Sequence, residues 1–432
     1  MIRILHRASG LSGFVRLPGD KSISHRYALL AAVAEGASHL LHFASSQDCH
    51  STLKCLQGLG VSVQVDGDAV TVKGRGLRGL SAPQQPLDAG NSGTTIRLLS
   101  GILAGHPFES CISGDESLQR RPMGRILQPL RMMGAGVECR DGEFPPLQIR
   151  GGSLRGIRYP LPVASAQVKS CVLLAGLYAD RPSAVQEVIP TRDHTEIALR
   201  QFGARVSRNG NWIEIEPGPA LRGQHLEVPG DLSGGAFFLV AAALVPGSKV
   251  LLRHVGLNRR RCELLDYLVA AGMNLSVSGG PESAGEPRGD IVVSYSPALL
   301  DSALPPIHGR LVAALIDEIP VLAILGSQAA GGIEISEAQE LRVKESDRID
   351  ALAANLRSMG AKVVERADGL QVAGGQRLHG ADINTRGDHR IAMAFSVAAL
   401  VADGETRIHN AECADVSFPG FFDTLKRVTN DE

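Results

Sequence analysis

The chain has 432 residues, more than one hydrophobic core ordinarily supports, so two domains are expected. Apolar residues make up 44% and charged residues 21%, as in a soluble globular protein, and a formal net charge of -1 offers no overall field for nucleic acid or an anionic membrane. Aromatic residues reach only 4%, which leaves few stacking platforms for single-stranded nucleic acid.

The seven cysteines (Cys49, Cys55, Cys111, Cys139, Cys171, Cys262 and Cys413) include no CxxC pair, a pattern expected of reduced thiols in the cytosol. The opening MIRILHRASGLSG lacks the apolar stretch of a signal peptide. The longest apolar run, Ala236 to Val245, is far short of the roughly 20 residues of a membrane span. A cytoplasmic location is the expectation.

In chain order, one plan recurs six times: a polar Gly- or Ser-containing start, an Ala/Leu-rich helix, a Gly-containing turn, a strand and a second helix, which in five copies ends in Gly before a further strand. The first copy starts with PGDKSISHR at Pro18, runs through YALLAAVAEG and reaches its second-helix end at LQGLGVSV. AGNSGTTIR at Ala89 leads through LLSGILAG to LRMMGAGVE, and ASAQVKS at Ala164 leads through CVLLAGLYAD to LRQFGARVS. PGDLSGGAF at Pro229 leads through FFLVAAALVPG and the strand-like VLLRHV to LVAAGMNLSV. IDEIP at Ile316 leads through VLAILGSQAAGG and GIEISEA to LRSMGAKVV, and GDHRIAM at Gly387 leads into FSVAALVADG. A Gly after a Leu-rich helical stretch, followed by a β-branched run, reads as a left-handed helix stop leading into a strand. The repeat of about 65 to 90 residues is too long for a common solenoid, so each copy is a whole α/β subdomain, three per domain.

The cations gather at these starts. Lys21 and Arg26 lie in the first, Arg97 in the second, Lys169 in the third and Arg390 in the sixth; Arg121, Lys344 and Arg348 lie in expected loops after strands. A helix N-terminus offers unpaired N–H groups and about half a positive charge, and Gly or Ser there lets the backbone approach an oxyanion. Lys and Arg added at several such points predict a trap for a multiply charged anion. For one cation alone, a solvated surface charge is the simpler account; the recurrence at equivalent positions argues for the trap.

Other motifs fail on context. GRGLRG at Gly74 matches GxGxxG, but SAPQQP follows where a helix should begin. GDKS at Gly19 resembles the end of a phosphate-binding loop, yet Asp20 breaks the required Gly-Lys. The 13 histidines show no metal-ligand spacing, and His25 and His389 at helix starts read as hydrogen-bonding or packing residues. Among carboxylates, Asp317 opens the apolar DEIPVLAIL and Glu345 stands between Lys344 and Arg348. Beside cations, such a carboxylate stays ionised and can accept a proton from a hydroxyl. The local alternatives are an N-cap for Asp317 and an ion-pair partner for Glu345.

PGDKSISHRYALLAA, GNSGTTIRLLSGILAG, GDESLQRRPM, ASAQVKS, TRDHTEI, LRVKESDRI and GDHRIAMAFSVAAL together resemble the 3-phosphoshikimate 1-carboxyvinyltransferase (EPSP synthase) family, in family order from Pro18 to Pro419. The resemblance implies two inside-out α/β domains, each of three repeated βαβαββ-type subdomains, joined by a two-strand hinge. One domain would be discontinuous, 1–17 plus 229–432, and the other, 18–228, inserted, with hinges near 17–20 and 228–231. Helix starts would face a cleft that closes around two anions. The implied reaction moves the enolpyruvyl group of phosphoenolpyruvate to the 5-hydroxyl of shikimate 3-phosphate through a tetrahedral intermediate, in chorismate and aromatic amino acid biosynthesis. It also implies a monomer with no cofactor and no metal, and no nucleic-acid or membrane partner.

Carried over by motif, Lys21, Ser22, Arg26, Ser165, Ala166, Gln167, Asp317 and Lys344 would bind shikimate 3-phosphate. Lys21, Gly93, Arg121, Gln167, Arg348 and Arg390 would bind phosphoenolpyruvate, and Lys21, Asp317 and Glu345 would be catalytic. The chain departs from many relatives at Val416, where Lys is common, and at Glu340 before LRVKE, where some have Asn; both look like a divergent bacterial branch. Gly93 keeps a space that Ala would close, which favours glyphosate binding. The related UDP-N-acetylglucosamine enolpyruvyl transferases would carry a reactive Cys where this chain has Glu116. A phosphate-ligand sensor would have no use for Asp317, Lys344 and Glu345 together, and a nucleic-acid end-processing enzyme would need a basic track that the sequence lacks.

Overall fold

The computed structural model describes residues 1–280 and 285–429; positions 281–284 and 430–432 of the expected discontinuous domain lie outside the described residues. The chain divides into two compact units. One comprises Met1–Pro18 with Pro229–Pro281 and Pro287–Glu432, and the other Gly19–Val228 with a short stretch ending at Glu286. They are called the discontinuous and the inserted unit below.

Among the described residues there are six small sheets, three in each unit, and no barrel. The second copy shows the plan most simply. Strand Leu87–Asp88 leads through helix Gly93–Leu103 to strand Glu109–Ser113, which it joins in parallel. Helix Gly124–Met132 and the antiparallel strands Gly136–Arg140 and Phe144–Arg150 complete a βαβαββ module. The third copy repeats this order with strands Arg158–Pro160, Ser183–Gln186, Val206–Asn209 and Trp212–Ile215.

Three copies take in strands distant in sequence, among them Ile2–Leu5, which pairs antiparallel with Thr406–His409 of the sixth copy. His225–Glu227 pairs in parallel with Ala37–Leu41 of the first copy. Ser12–Arg16 pairs in parallel with Lys249–Gly256, so the whole inserted unit separates that strand from its module. Strand identity follows the alternation of the sequence: Leu251 and Arg253 lean outward while Val250 and Leu252 are fully buried.

The Gly-terminated second helices end as their sequences predict. Gly60, Gly134, Gly203, Gly272 and Gly360 adopt φ of 82°, 99°, 101°, 93° and 88°. That left-handed conformation strains any residue with a Cβ, so glycine stops the helix and turns the chain into the next strand.

The first helix of each copy lies inside its unit, as its uniform apolarity requires. Every residue of Leu232–Leu244 is buried, and Lys21–Val33 is buried from Ile23 onward. Each buried Leu, Ile or Phe contributes about 1.5–3 kcal/mol, so these helices are the main source of stability. Close approach needs small residues: a Cβ on Gly101 would stand 2.4 Å from the Cys171 carbonyl oxygen of the neighbouring helix Ala166–Gly176. The seven cysteines are free thiols. No helix of the described residues is long and apolar enough to cross a membrane.

Candidate active site

Burying the inner helices leaves their N-termini to be satisfied by side chains, and five of the six are capped. Asp20, Ser92, Ser165, Asp231 and Asp388 accept from Ile23 N, Thr95 N, Val168 N, Ser233 N and Arg390 N. The exception is Ile319–Gln328, where Glu318 stands at the cap position without a side-chain bond. Asp317 lies one residue further out and does not cap the helix; its local alternative role is thereby removed.

In the inserted unit, the helix beginnings of the three copies are tied together by the predicted cations. Lys21 Nζ lies 2.9 Å from Asp48 Oδ2, and Arg26 Nη1 donates to the backbone oxygen of Ser22 at 2.7 Å. Arg26 continues to the third copy, with Nη2 donating to Ser170 Oγ at 3.0 Å and Nε to Thr195 Oγ1 at 2.6 Å. Burial lowers the Arg26 pKa to about 10, against the opposing pull of Glu196 and Asp20. It remains a cation at neutral pH.

The second and third copies meet through Arg97. Its Nη1 donates to Gln167 Oε1 at 2.8 Å, and Gln167 Nε2 donates to Thr94 Oγ1 at 3.0 Å. Arg121 is buried and donates to Asn91 Oδ1 at 2.5 Å and Ser117 Oγ at 3.1 Å. Gly93 lies between these cations: an added Cβ would be 2.7 Å from Arg97 Nη1 and 3.6 Å from Arg121 Nη1. Ser165, Ala166 and Gln167 are half-buried at the start of their helix.

Lys169 departs from the expectation that groups it with the anion-binding cations. Its side chain is fully buried, 2.9 Å from Glu187 Oε1 and 2.7 Å from Glu196 Oε1. Three residues beyond Ala166 on an inward-facing turn, it neutralises two buried carboxylates and is sealed from any ligand.

In the discontinuous unit, two of the predicted residues, Asp317 and Glu345, meet the guanidinium of a third, Arg348, together with Asp388. Arg348 is 1% exposed. Its Nε donates to Asp388 Oδ2 at 2.8 Å, its Nη2 donates to Glu345 Oε2 at 2.5 Å, and its Nη1 lies 3.9 Å from Asp317 Oδ1. Burial alone would lower the Arg348 pKa; Asp388, Glu345 and Asp317 reverse that and raise it. Burial would likewise raise the Asp388 pKa, but Arg348 holds it below the usual carboxylate range.

Arg390 Nη1 donates to Ser233 Oγ and to the backbone oxygen of Asp317, both at 2.7 Å, and its Nε is 3.8 Å from Asp317 Oδ1. The Asp317 carboxylate is 19% exposed and has two guanidiniums near it, which favour its charged form. Lys344 is half-buried and, among the described residues, makes no hydrogen bond or ion pair.

The loop expected at Arg348 is instead the first turn of helix Arg348–Ser358. Asp347 caps it by accepting from Asp350 N at 3.0 Å, and this cap turns the Arg348 side chain inward. Role-bearing neighbours beyond the carried-over residues are Asp48, Asn91, Thr94, Arg97, Ser233 and Asp388. All but Asp48 stand inside recognised polar starts, which was a usable signal; nothing local marks Asp48, which meets Lys21 across 27 residues.

Glu116, at the position where the UDP-N-acetylglucosamine enzymes would carry cysteine, begins the short helix Glu116–Gln119 and pairs with Arg120 on the surface. No thiol nucleophile stands there.

Comparison with known proteins identifies the family. Residues 5–425 match the family described as EPSP synthase (3-phosphoshikimate 1-carboxyvinyltransferase). A 3-phosphoshikimate 1-carboxyvinyltransferase of Solibacter usitatus is 52% identical over 421 residues, covering 98% of each chain. That of Koribacter versatilis is 51% identical, covering 98% of this chain and 97% of the relative. The solved EPSP synthase of Acinetobacter baumannii superposes with a TM-score of 0.86 at 41% identity, covering 99% of this chain and 98% of that one. The chain therefore belongs to the EPSP synthase (3-phosphoshikimate 1-carboxyvinyltransferase) family.

Proposed function

We infer that the residues described above carry out the transfer of the enolpyruvyl group of phosphoenolpyruvate to the 5-hydroxyl of shikimate 3-phosphate. The products are 5-enolpyruvylshikimate 3-phosphate and phosphate. The observation that carries this reading is the placement of Asp317 and Glu345 against the buried Arg348. A receptor that only bound phosphate would gain nothing from carboxylates set among its cations.

On this reading the inserted unit takes the anionic groups. Ser22, Arg26, Ser165 and Ala166 hold shikimate 3-phosphate; Lys21 and Gln167 touch both substrates; Gly93 and Arg121 receive phosphoenolpyruvate. In the discontinuous unit, Asp317 and Lys344 hold the ring hydroxyls, and Arg348 and Arg390 take the phosphoenolpyruvate anion. Asp317 accepts the proton of the 5-hydroxyl as its oxygen bonds to C2 of phosphoenolpyruvate. The C2–C3 π electrons take a proton at the methylene carbon from Glu345 or Lys21. The resulting ketal then expels phosphate from C2 and loses a proton from the new methyl group, which restores the double bond as an enol ether. Fixed guanidiniums and ammonium groups stabilise the departing phosphate without reorganisation.

Gly93, beside Arg97 and Arg121, keeps the space that Ala would close, which supports glyphosate binding, and a cytoplasmic monomer is part of the same reading. Phosphate release measured with both substrates tests the reading. Release that requires both confirms it, whereas tight binding of both without release would leave only the sensor. Sedimentation of the active protein at more than a monomer's mass would overturn the monomer.

A further inference from the structure

One buried polar chain in the inserted unit has no part in the chemistry above. His25 lies one turn beyond Lys21 on the same helix. Its Nδ1 is 2.7 Å from Thr52 Oγ1, which is 2.7 Å from Thr95 Oγ1, which in turn donates to Ser92 Oγ at 2.8 Å. His25, Thr52 and Thr95 are each 0% exposed. Thr95 Oγ1 also lies 3.4 Å from the backbone oxygen of Asp48, whose carboxylate meets Lys21 Nζ at 2.9 Å. The chain thus starts on the Lys21 helix, crosses to the cap of the Gly93 helix and returns to Lys21.

The proton order follows from counting. Each hydroxyl carries one proton. That of Thr95 goes to Ser92 Oγ, which also accepts the Thr95 N–H at 3.1 Å. Towards Thr52, then, Thr95 Oγ1 can only accept, and the Thr52 proton is used there. The remaining contact at Thr52 Oγ1 needs a donor, so His25 carries its proton on Nδ1. Its Nε2 has no hydrogen-bond partner among the described residues and presents a lone pair rather than a stranded N–H. Burial first, and then the charges of Lys21 and Arg26, hold the His25 pKa well below its ordinary value, so the ring is neutral.

We propose that His25, Thr52 and Thr95 are positioning residues whose ordered hydroxyl chain fixes His25 as the Nδ1–H tautomer and locks the Lys21 turn in register with the Gly93 helix start. The proposal rests on the reading that Lys21 and Gly93 receive phosphoenolpyruvate. Three buried hydrogen bonds in series hold only while both helix beginnings keep their separation, because a slide would strand a buried hydroxyl.

Thr52→Val keeps the side-chain shape and removes the hydroxyl, and Thr52→Ser keeps the hydroxyl. Thr52→Val should raise the KM for phosphoenolpyruvate about three- to tenfold, the effect of one lost buried hydrogen bond, with kcat within about twofold. Thr52→Ser should return KM to within about twofold of wild type. Nitrogen-15 NMR of the free protein should show a neutral His25 protonated on Nδ1 in wild type and Thr52→Ser, with that preference lost in Thr52→Val. A wild-type His25 protonated on Nε2 overturns the proton order. A Thr52→Val protein that melts earlier with unchanged KM, or that matches wild type throughout, overturns the positioning role. Failure of wild type to release phosphate from phosphoenolpyruvate would sink the functional reading instead, while the tautomer measurement would still decide the chain.

Discussion

The two units handle guanidinium charge in opposite ways. In the inserted unit the guanidiniums donate to neutral oxygens, Arg26 to Ser22, Ser170 and Thr195, Arg97 to Gln167, and Arg121 to Asn91 and Ser117, while the ammonium groups of Lys21 and Lys169 meet carboxylates. In the discontinuous unit the guanidiniums face carboxylates: Arg348 meets Asp388, Glu345 and Asp317, Arg390 lies near Asp317, and Arg261 lies 3.4 Å from Glu318. A guanidinium held by amides and hydroxyls keeps its charge for a ligand, whereas one surrounded by carboxylates gives up its field to keep them ionised. On the proposed function, the same helix-start architecture serves mainly to receive anions in one unit and adds the proton-handling carboxylates in the other.

The comparison breaks first at Lys21. Lys21→Met should lower turnover by about 10³-fold or more while circular dichroism stays unchanged, because it removes charge aimed at the reacting anion. Turnover within about tenfold of wild type would show that the receptor does not depend on it. Arg348→Met tests the other unit through stability. Leaving Asp388 buried without its partner should cost about 3–5 kcal/mol in urea unfolding, whereas Arg121→Met should cost far less and act on the KM for phosphoenolpyruvate. Equal losses in the two variants would erase the distinction.

Asp317→Ala should lower kcat about 100-fold, the scale of a lost general base, with shikimate 3-phosphate affinity by calorimetry changed much less. A pure loss of affinity would make Asp317 a binding group. The smallest effect concerns pH. The His25 pKa is depressed in the folded protein, so the unfolded chain binds the extra proton first. Its contribution to stability is complete above the ordinary value of 6.5 and is lost as pH falls below it towards the folded pKa. Thermal midpoints from pH 7 down to about 5 should therefore fall more steeply in wild type than in His25→Asn. Parallel slopes would mean that His25 is not held neutral.

Much of this was legible from residue order, for reasons that are local. A Ser or Asp before an apolar run caps a helix through its own backbone, as at Asp20, Ser92, Ser165, Asp231 and Asp388. A Gly between a Leu-rich helix and a β-branched run accepts positive φ, as at Gly60 and Gly360. These effects act within a few residues, so six copies of the plan could be read along the chain. Lys169 shows where that reading stops: its position in the repeat is that of an anion-binding residue, yet Glu187 and Glu196 close over it from elsewhere in the chain.

The partners of charge were decided by tertiary structure. Arg348 finds Asp388 across 40 residues, Lys21 finds Asp48 across 27, and Thr52 finds Thr95 across 43. Sequence alone determined where helices begin, where they stop and which beginnings carry cations, because those depend on bonds made within a turn. Which cations stay available to a ligand and which are neutralised depends on burial and on neighbours brought in by packing, and only the folded chain decides that.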